Sequence, residues 1–129
     1  IKFEKKFIKP LDSKDSVNIN QVFSDTIANN PSSKILLKMD IEGDEYANLL
    51  NLEMKYFKYI EILIIEFHYL NRIADKNTNR EAFYSISRIL EFFQPIFNRA
   101  NEISSKYKVK NLLIPKYLEV TLVNKEKLN

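Results

Sequence analysis

The 129-residue sequence predicts an α/β fold in which parallel strands alternate with amphipathic helices and a C-terminal antiparallel strand pair completes the sheet. Residues 34–40 and 59–68 are apolar on both faces of an extended chain, which is typical of buried parallel strands. Residues 117–123 alternate apolar and polar side chains, which favours a strand with one buried face. The length suits one small domain, so residues 1–129 are treated as a single domain.

The first predicted element is a helix that follows a connector at residues 8–16. Asn18 is the expected N-cap, and Gln21 three positions later completes a capping box. The Asn-Asn-Pro-Ser-Ser sequence at residues 29–33 ends this helix. Its apolar residues share one face: Ile19, Val22, Phe23 and Ile27.

The first strand, residues 34–40, is predicted to be mostly buried, and a turn and a short helix follow it. Asp44 and Glu45 lie in the first turn of that helix, where the helix dipole favours acids. Its inward-facing side chains are predicted to be Tyr46, Leu49, Leu50 and Met54. The second strand, residues 59–68, is rich in β-branched residues and becomes polar at its end.

A capping box at Thr78 and Glu81 predicts the start of a third helix, which Pro95 ends. Its predicted apolar face comprises Ala82, Phe83, Ile86, Ile89, Leu90 and Phe93. Residues 96–101 are a weaker strand candidate. The closing strand at residues 117–123 directs Leu118, Val120 and Leu122 to one face.

Composition excludes several classes of site. Gly43 is the only glycine, so neither a GxGxxG turn nor a P-loop is present. The absence of cysteine excludes disulfides, thiolate catalysis and cysteine-ligated metals. No apolar run is long enough to span a bilayer, and no secretory signal is visible, so we expect no membrane span and a cytoplasmic location. The net charge is only +3, and the segment richest in acids, residues 40–66, does not favour a nucleic-acid partner.

Ionisable side chains end both predicted parallel strands. Asp40 and Glu42 follow the first strand, and Glu66 and His68 end the second. Because ligands bind beyond the carboxyl ends of the strands in open α/β sheets, we expect these four groups on one rim. Such a rim can take a proton from a substrate hydroxyl, bind sugar hydroxyls, or hold a divalent metal. Gly43 lies between strand and helix, where glycine usually marks a tight turn or a close backbone approach.

The segment Lys38-Met39-Asp40-Ile41-Glu42-Gly43-Asp44-Glu45 resembles the K-I-D-V-E-G-x-E signature of FkbM-family methyltransferases. Ile64-Ile65-Glu66-Phe67-His68 resembles the family's next strand, I-x-E-x-H, and residues 114–124 resemble its closing I-P-x-x-x-E-V-T strand. The resemblance implies part of a Rossmann-like methyltransferase sheet. It also implies methyl transfer from S-adenosylmethionine to a hydroxyl of a small molecule or glycan, such as a sugar or secondary metabolite.

The resemblance also implies residue roles. Asp40, Glu66 and His68 would be catalytic, with His68 or Asp40 as general base. The residues beside the cofactor would be Glu42, Gly43 and Glu45. No metal ligands are assigned.

Two departures from the family pattern shape the alternatives. The family's cofactor-binding half, with its glycine-rich turn, has no counterpart in these residues, and Arg99 stands where a subgroup has histidines. We therefore expect the parent protein to be the methyltransferase and this chain alone to be inactive. An inactive interaction module that binds a protein or glycan is the alternative. A metal-dependent hydrolase or transferase is a third, which the single histidine makes less attractive. We also expect homo-oligomers, or cover by the N-terminal segment, at an exposed sheet edge around residues 35–39.

Overall fold

The computed structural model describes residues 6–10, 13–70, 79–100 and 105–128. The helices are α1 (Ile19–Asn29), α2 (Glu45–Asn51) and α3 (Asn79–Phe92), with 3-10 helices at Met54–Tyr59 and Lys125–Lys127. The strands are β1 (Phe7–Ile8), β2 (Ser16–Val17), β3 (Ile35–Met39), β4 (Ile60–Phe67), β5 (Phe93–Ala100), β6 (Lys106–Val109), β7 (Leu112–Pro115) and β8 (Leu118–Asn124). None of these helices combines the length and apolar character needed to cross a bilayer.

The central feature is a four-stranded mixed sheet of order β3-β4-β8-β5. β3 and β4 are parallel, and β8 runs antiparallel to both β4 and β5. A short parallel pair, β1 and β2, and a hairpin of β6 and β7 lie outside this sheet. The predicted α/β class, with parallel strands and a C-terminal antiparallel pair, is confirmed at this level.

One face of the sheet carries the core. Buried residues of β3, β4 and β8 pack there with side chains from all three α-helices in one cluster. On the opposite face, Leu36 is 58% and Phe97 56% exposed, and Ile62, Ile64 and Val123 are only half-buried and do not join the core. The prediction that residues 34–40 are mostly buried is therefore wrong for this face of β3.

The local signals of α1 and α2 are partly confirmed. The Asn18 side chain caps α1 by accepting the N–H of Asn20 at 2.8 Å, but the Gln21 side chain donates to Asp25, so no reciprocal capping box forms. Ile19 and Phe23 are buried, and Val22 is exposed. In α2, Tyr46 and Leu49 are buried and Leu50 is half-buried, whereas Met54 lies in the 3-10 helix and is exposed.

The third helix differs from its prediction in which side chains are buried and in where the helix ends. Ala82 and Ile89 are buried as expected, but Phe83 and Leu90 are exposed. The helix ends at Phe92, and Pro95 lies inside β5, beside a register irregularity of an edge strand, where proline is tolerated. The capping residue Thr78 lies outside the described residues. Arg88 of α3 donates to the carbonyls of Leu49, Leu50 and Leu52, which satisfies the C-terminal end of α2.

Candidate functional site

The parallel register of β3 and β4 brings their polar C-terminal residues together. Met39 pairs with Ile65, so Asp40 and Glu66 follow side by side at one end of the sheet. One ligand atom from each of Asp40, Glu66 and His68 lies within 4.8 Å of the other two. The predicted convergence of these side chains on one rim is thus present in the fold, and we call the residues 40–45 and 66–69 the rim.

The turn between β3 and α2 has an unusual backbone. Glu42 and Gly43 both have positive φ, 58° and 112°. The Glu45 carboxylate folds back over this turn, and its Oε1 accepts the N–H groups of Ile41 at 3.0 Å and Gly43 at 3.1 Å. A Cβ added at Gly43 would lie 3.0 Å from the ring of Tyr69. The single glycine therefore serves both a left-handed turn and a close approach by an aromatic ring.

Glu45 is the buried carboxylate of the rim. It is 0% exposed, and its Oε1 also accepts a hydrogen bond from Nδ1 of His68 at 3.0 Å. Oε2 has no hydrogen-bond partner among the described residues. The resemblance implies a position beside the cofactor for Glu45, and in the structure its buried carboxylate contacts His68 and the turn.

His68 is held with one ring nitrogen inward and the other outward. Nδ1 contacts Glu45 and, at 3.1 Å, the carbonyl oxygen of Glu66. Both are acceptors, so Nδ1 carries a proton. Nε2 faces Oε2 of Glu42 at 3.4 Å and Oδ1 of Asp40 at 3.8 Å, and it makes no hydrogen bond to a described residue. His68 is only 4% exposed, and of its two ring nitrogens Nε2 is the one that faces the exposed carboxylates.

Aromatic side chains complete the site. The ring centroid of Tyr117 lies 5.1 Å from that of His68, and the ring of Tyr69 lies 6.1 Å away. The ammonium of Lys116 lies over both tyrosine rings, and its interaction with Tyr117 raises the pKa of Lys116. The Tyr46 hydroxyl donates a hydrogen bond to the backbone carbonyl of His68 at 2.8 Å. Burial, with a smaller effect of the nearby Glu45 charge, raises the pKa of Tyr46 above its usual range.

Sequence reasoning missed these four side chains. Tyr46 was assigned only to the core, and Tyr69, Lys116 and Tyr117 were not singled out. Antiparallel β8 begins at the end of the sheet where β4 finishes, because Leu118 pairs with Phe67. An antiparallel pairing of the predicted closing strand with residues 59–68 would have predicted that Lys116 and Tyr117 lie beside His68.

Two further features border the rim. Glu66 pairs with Glu119 across β4 and β8, and Glu119 pairs with Arg99 across β8 and β5. Arg99 therefore lies at the far end of the same cross-strand row. A separate apolar cavity of about 380 Å³ lies between α3 and the sheet, lined by residues that include Leu70, Ile89 and Leu122. None of the rim's charged side chains lines it.

No protein-family model, curated protein or solved structure matches this chain. The case for function therefore depends on the geometry of the rim and on the resemblance of residues 38–45 and 64–68.

Proposed function

We propose that this chain forms the catalytic rim of an S-adenosylmethionine-dependent O-methyltransferase, whose acceptor is a hydroxyl of a sugar or secondary metabolite. The observation that carries the proposal is the outward Nε2 of His68, which faces the Asp40 and Glu42 carboxylates at the ends of two parallel strands. Together with the signature-like turn, this supports a role for Nε2 as proton acceptor at the end of the sheet where α/β proteins bind ligands.

The geometry supports methyl transfer to oxygen in a defined way. Bound S-adenosylmethionine would supply the methyl group to the acceptor oxygen and would leave as S-adenosylhomocysteine, with the electron pair of the broken carbon–sulfur bond on sulfur. The hydroxyl proton passes to Nε2 of His68 or to the Asp40 carboxylate. When Nε2 takes the proton, the Glu45 carboxylate on Nδ1 stabilises the imidazolium, in the manner of a base held by a third group.

Charge also favours a cationic methyl donor. Asp40, Glu42 and Glu66 bring three carboxylates to one end of the sheet, and the ring of Tyr69 lies beside them. Carboxylates and aromatic faces both attract a cation such as a sulfonium. The resemblance gives Glu42 and Gly43 a cofactor role. Because the Gly43 N–H bonds Glu45 and its Cα faces the Tyr69 ring, the exposed Glu42 carboxylate is the group of the two that can contact a ligand.

Methyl transfer by the full-length gene product that contains these residues tests the proposal. We expect S-adenosylhomocysteine to form with a hydroxyl acceptor from a panel of glycans and secondary metabolites. His68→Gln should lower the rate about 100-fold or more, because general-base catalysis typically contributes that much. Glu61→Gln is the matched control, since Glu61 lies at the opposite end of β4 in an ion pair with Lys34, and its rate should not change.

Calorimetry separates the cofactor question from the rate. The full-length product should bind S-adenosylmethionine in EDTA, and the 129-residue chain alone should give no heat. A full-length product that does not bind S-adenosylmethionine would refute the methyltransferase proposal. Tight binding by the chain alone would refute the view that it lacks the cofactor half.

The open face of the sheet favours a second candidate, an interaction module for a protein or glycan. The side chains of Leu36 and Phe97 are more than half exposed. They lie on the face of the sheet opposite the hydrophobic core. This candidate predicts no binding of S-adenosylmethionine in any form of the protein. It also predicts that Phe97→Ala abolishes binding on a glycan array while His68→Gln does not.

A further inference from the structure

The outward nitrogen of His68 faces a surplus of negative charge. Glu45 accepts the hydrogen bond of Nδ1–H on the inner side, so Nε2 is the ring nitrogen that faces the oxygens of Glu42 and Asp40, 3.4 and 3.8 Å away. An imidazole nitrogen and two carboxylates that converge in this way attract a positive charge, either a proton on Nε2 or a cation bound between them. The ring is nine-tenths buried and cannot turn away without losing its bond to Glu45.

We propose that Asp40, Glu66 and His68 bind a divalent first-row metal ion, with His68 coordinating through Nε2. The three ligand atoms lie within 4.8 Å of one another. Metal–ligand bonds of about 2.0–2.2 Å place such atoms roughly 3–4 Å apart, so small side-chain rotations of Asp40 and Glu66 close the site. Two carboxylate oxygens and one imidazole nitrogen suit Mn²⁺ or Zn²⁺ better than a soft ion.

The arrangement behind His68 is what distinguishes this cluster from an ordinary group of surface acids. A histidine that binds a metal commonly donates its other N–H to a carboxylate, which fixes the ring and raises its basicity. Glu45 supplies that carboxylate, is itself fully buried, and is anchored by the N–H groups of Ile41 and Gly43. Tyr46 holds the His68 backbone from the same side.

Three protein ligands leave coordination positions for water or for a hydroxyl oxygen of the acceptor. That use of the ion rests on the proposed methyl transfer. A bound ion would make the hydroxyl more acidic. His68 and Asp40 would then be ligands rather than proton acceptors, and Glu42, whose side chain is 84% exposed, would be the carboxylate left to take the proton. Ion binding itself is independent of the methyl donor and can be measured without it.

Titration of the 129-residue chain with Mn²⁺, followed by the electron paramagnetic resonance signal of the free ion, tests the site. We expect one equivalent to bind, with paramagnetic broadening of amide signals that is strongest at residues 40–45 and 66–69 and weakens with distance from them. Asp40→Asn and Glu66→Gln should each weaken binding about tenfold or more. Glu61→Gln, which removes a carboxylate from the other end of β4, should leave the affinity unchanged.

Glu45→Gln provides a second measurement, because it keeps an oxygen for Nδ1–H while removing the charge behind the ring. We expect Glu45→Gln to lower the affinity for Mn²⁺ about 10–100-fold, as is typical for a carboxylate that orients a metal-binding histidine. No binding, or equal weakening by Glu61→Gln and Asp40→Asn, would overturn the proposal. Asp40 has a 42% exposed side chain, so its variant folds and remains informative even if His68 variants do not. Since no methyl donor is present, failure here leaves the methyltransferase proposal standing, and calorimetry in EDTA tests that one alone.

Discussion

The rim has a buried half and an exposed half, and the two are built differently. Glu45, Tyr46 and His68 are each at most 9% exposed and are joined by hydrogen bonds to one another or to the turn. Asp40 and Glu42 have side chains 42% and 84% exposed, and within the described residues the ionisable atom they face is Nε2 of His68. The buried half holds Nδ1 of His68 in a hydrogen bond, and the exposed half leaves Nε2 without one to a described residue. Four variants test whether the buried half determines stability and the exposed half determines chemistry.

Glu45→Ala should have the largest effect on stability. The substitution leaves the backbone N–H groups of Ile41 and Gly43 without their acceptor, and Nδ1–H of His68 keeps only the Glu66 carbonyl. The expected loss is about 2–4 kcal/mol in the free energy of unfolding, measured by urea denaturation. Glu42→Ala removes the same side chain from an exposed position in the same turn and should cost less than about 0.5 kcal/mol. Equal losses would contradict the division of the rim.

Gly43→Ala should follow in size. The φ of 112° is costly for any residue with a Cβ, and that Cβ would lie 3.0 Å from the Tyr69 ring. A loss of about 1–3 kcal/mol is expected. Tyr69→Ala, made alone and together with Gly43→Ala, separates the two causes. If the ring contact matters, the glycine substitution becomes less costly when the ring is absent.

The location of the rim was predictable from the sequence, but the division within it was not. Parallel strands ending in Asp40 and in His68 place polar groups at one end of a sheet whatever the details of the loops. The burial of Glu45 depends on positive φ at Glu42 and Gly43, which turns the chain back so that a helix N-terminal acid points inward. From sequence spacing alone, an acid in the first turn of a helix is predicted to face the solvent or a ligand.

The same limit explains the errors elsewhere in the sheet. The apolar pattern of residues 34–40 predicts a mostly buried strand, yet Leu36 lies on the open face of an edge strand. The sequence predicts a helix end at Pro95, but edge strands accept proline where no partner needs its missing N–H, and Pro95 lies inside β5. The hairpin of β6 and β7 was not predicted, because Leu112 and Leu113 are both exposed and do not alternate.

The edge of the sheet also bears on the predicted homo-oligomer. Within the described residues, no strand pairs with the outer side of β3, so an edge is open there. Leu36 and Lys38 point to the same face, and Lys38 is exposed. In an antiparallel pair of two copies centred on Leu36, Lys34 of each would oppose Lys38 of the other, which disfavours that pairing. Association through this edge stays a prediction that sedimentation can test.

Tyr46→Phe should have a smaller effect whose sign depends on pH. At pH 8, loss of the hydrogen bond to the His68 carbonyl should cost about 1 kcal/mol. Burial raises the pKa of Tyr46, so the folded protein keeps the hydroxyl proton at a pH where the unfolded chain loses it, above about pH 10. The unfolded state then binds fewer protons than the native state, and stability falls as pH rises.

The slope from this one group reaches about 1.4 kcal/mol per pH unit, and Tyr46→Phe removes it. Urea denaturation in EDTA across pH 8–11 should therefore show the two proteins converging as pH rises. Parallel curves would mean that the Tyr46 hydroxyl ionises as readily in the folded protein as in the unfolded one.

Asp40→Asn should change stability least, within about 0.5 kcal/mol, because its side chain is largely solvated and makes no hydrogen bond to a described residue. It should nevertheless lower Mn²⁺ affinity in the chain and methyl transfer in the full-length product. Glu45→Ala is predicted to unfold the site, whereas Asp40→Asn should leave the fold intact and remove an oxygen from the point that His68 faces. A variant that is stable, folded and unable to bind the ion would show that the exposed half carries the chemistry. A loss of stability comparable with that of Glu45→Ala would instead make Asp40 part of the buried support.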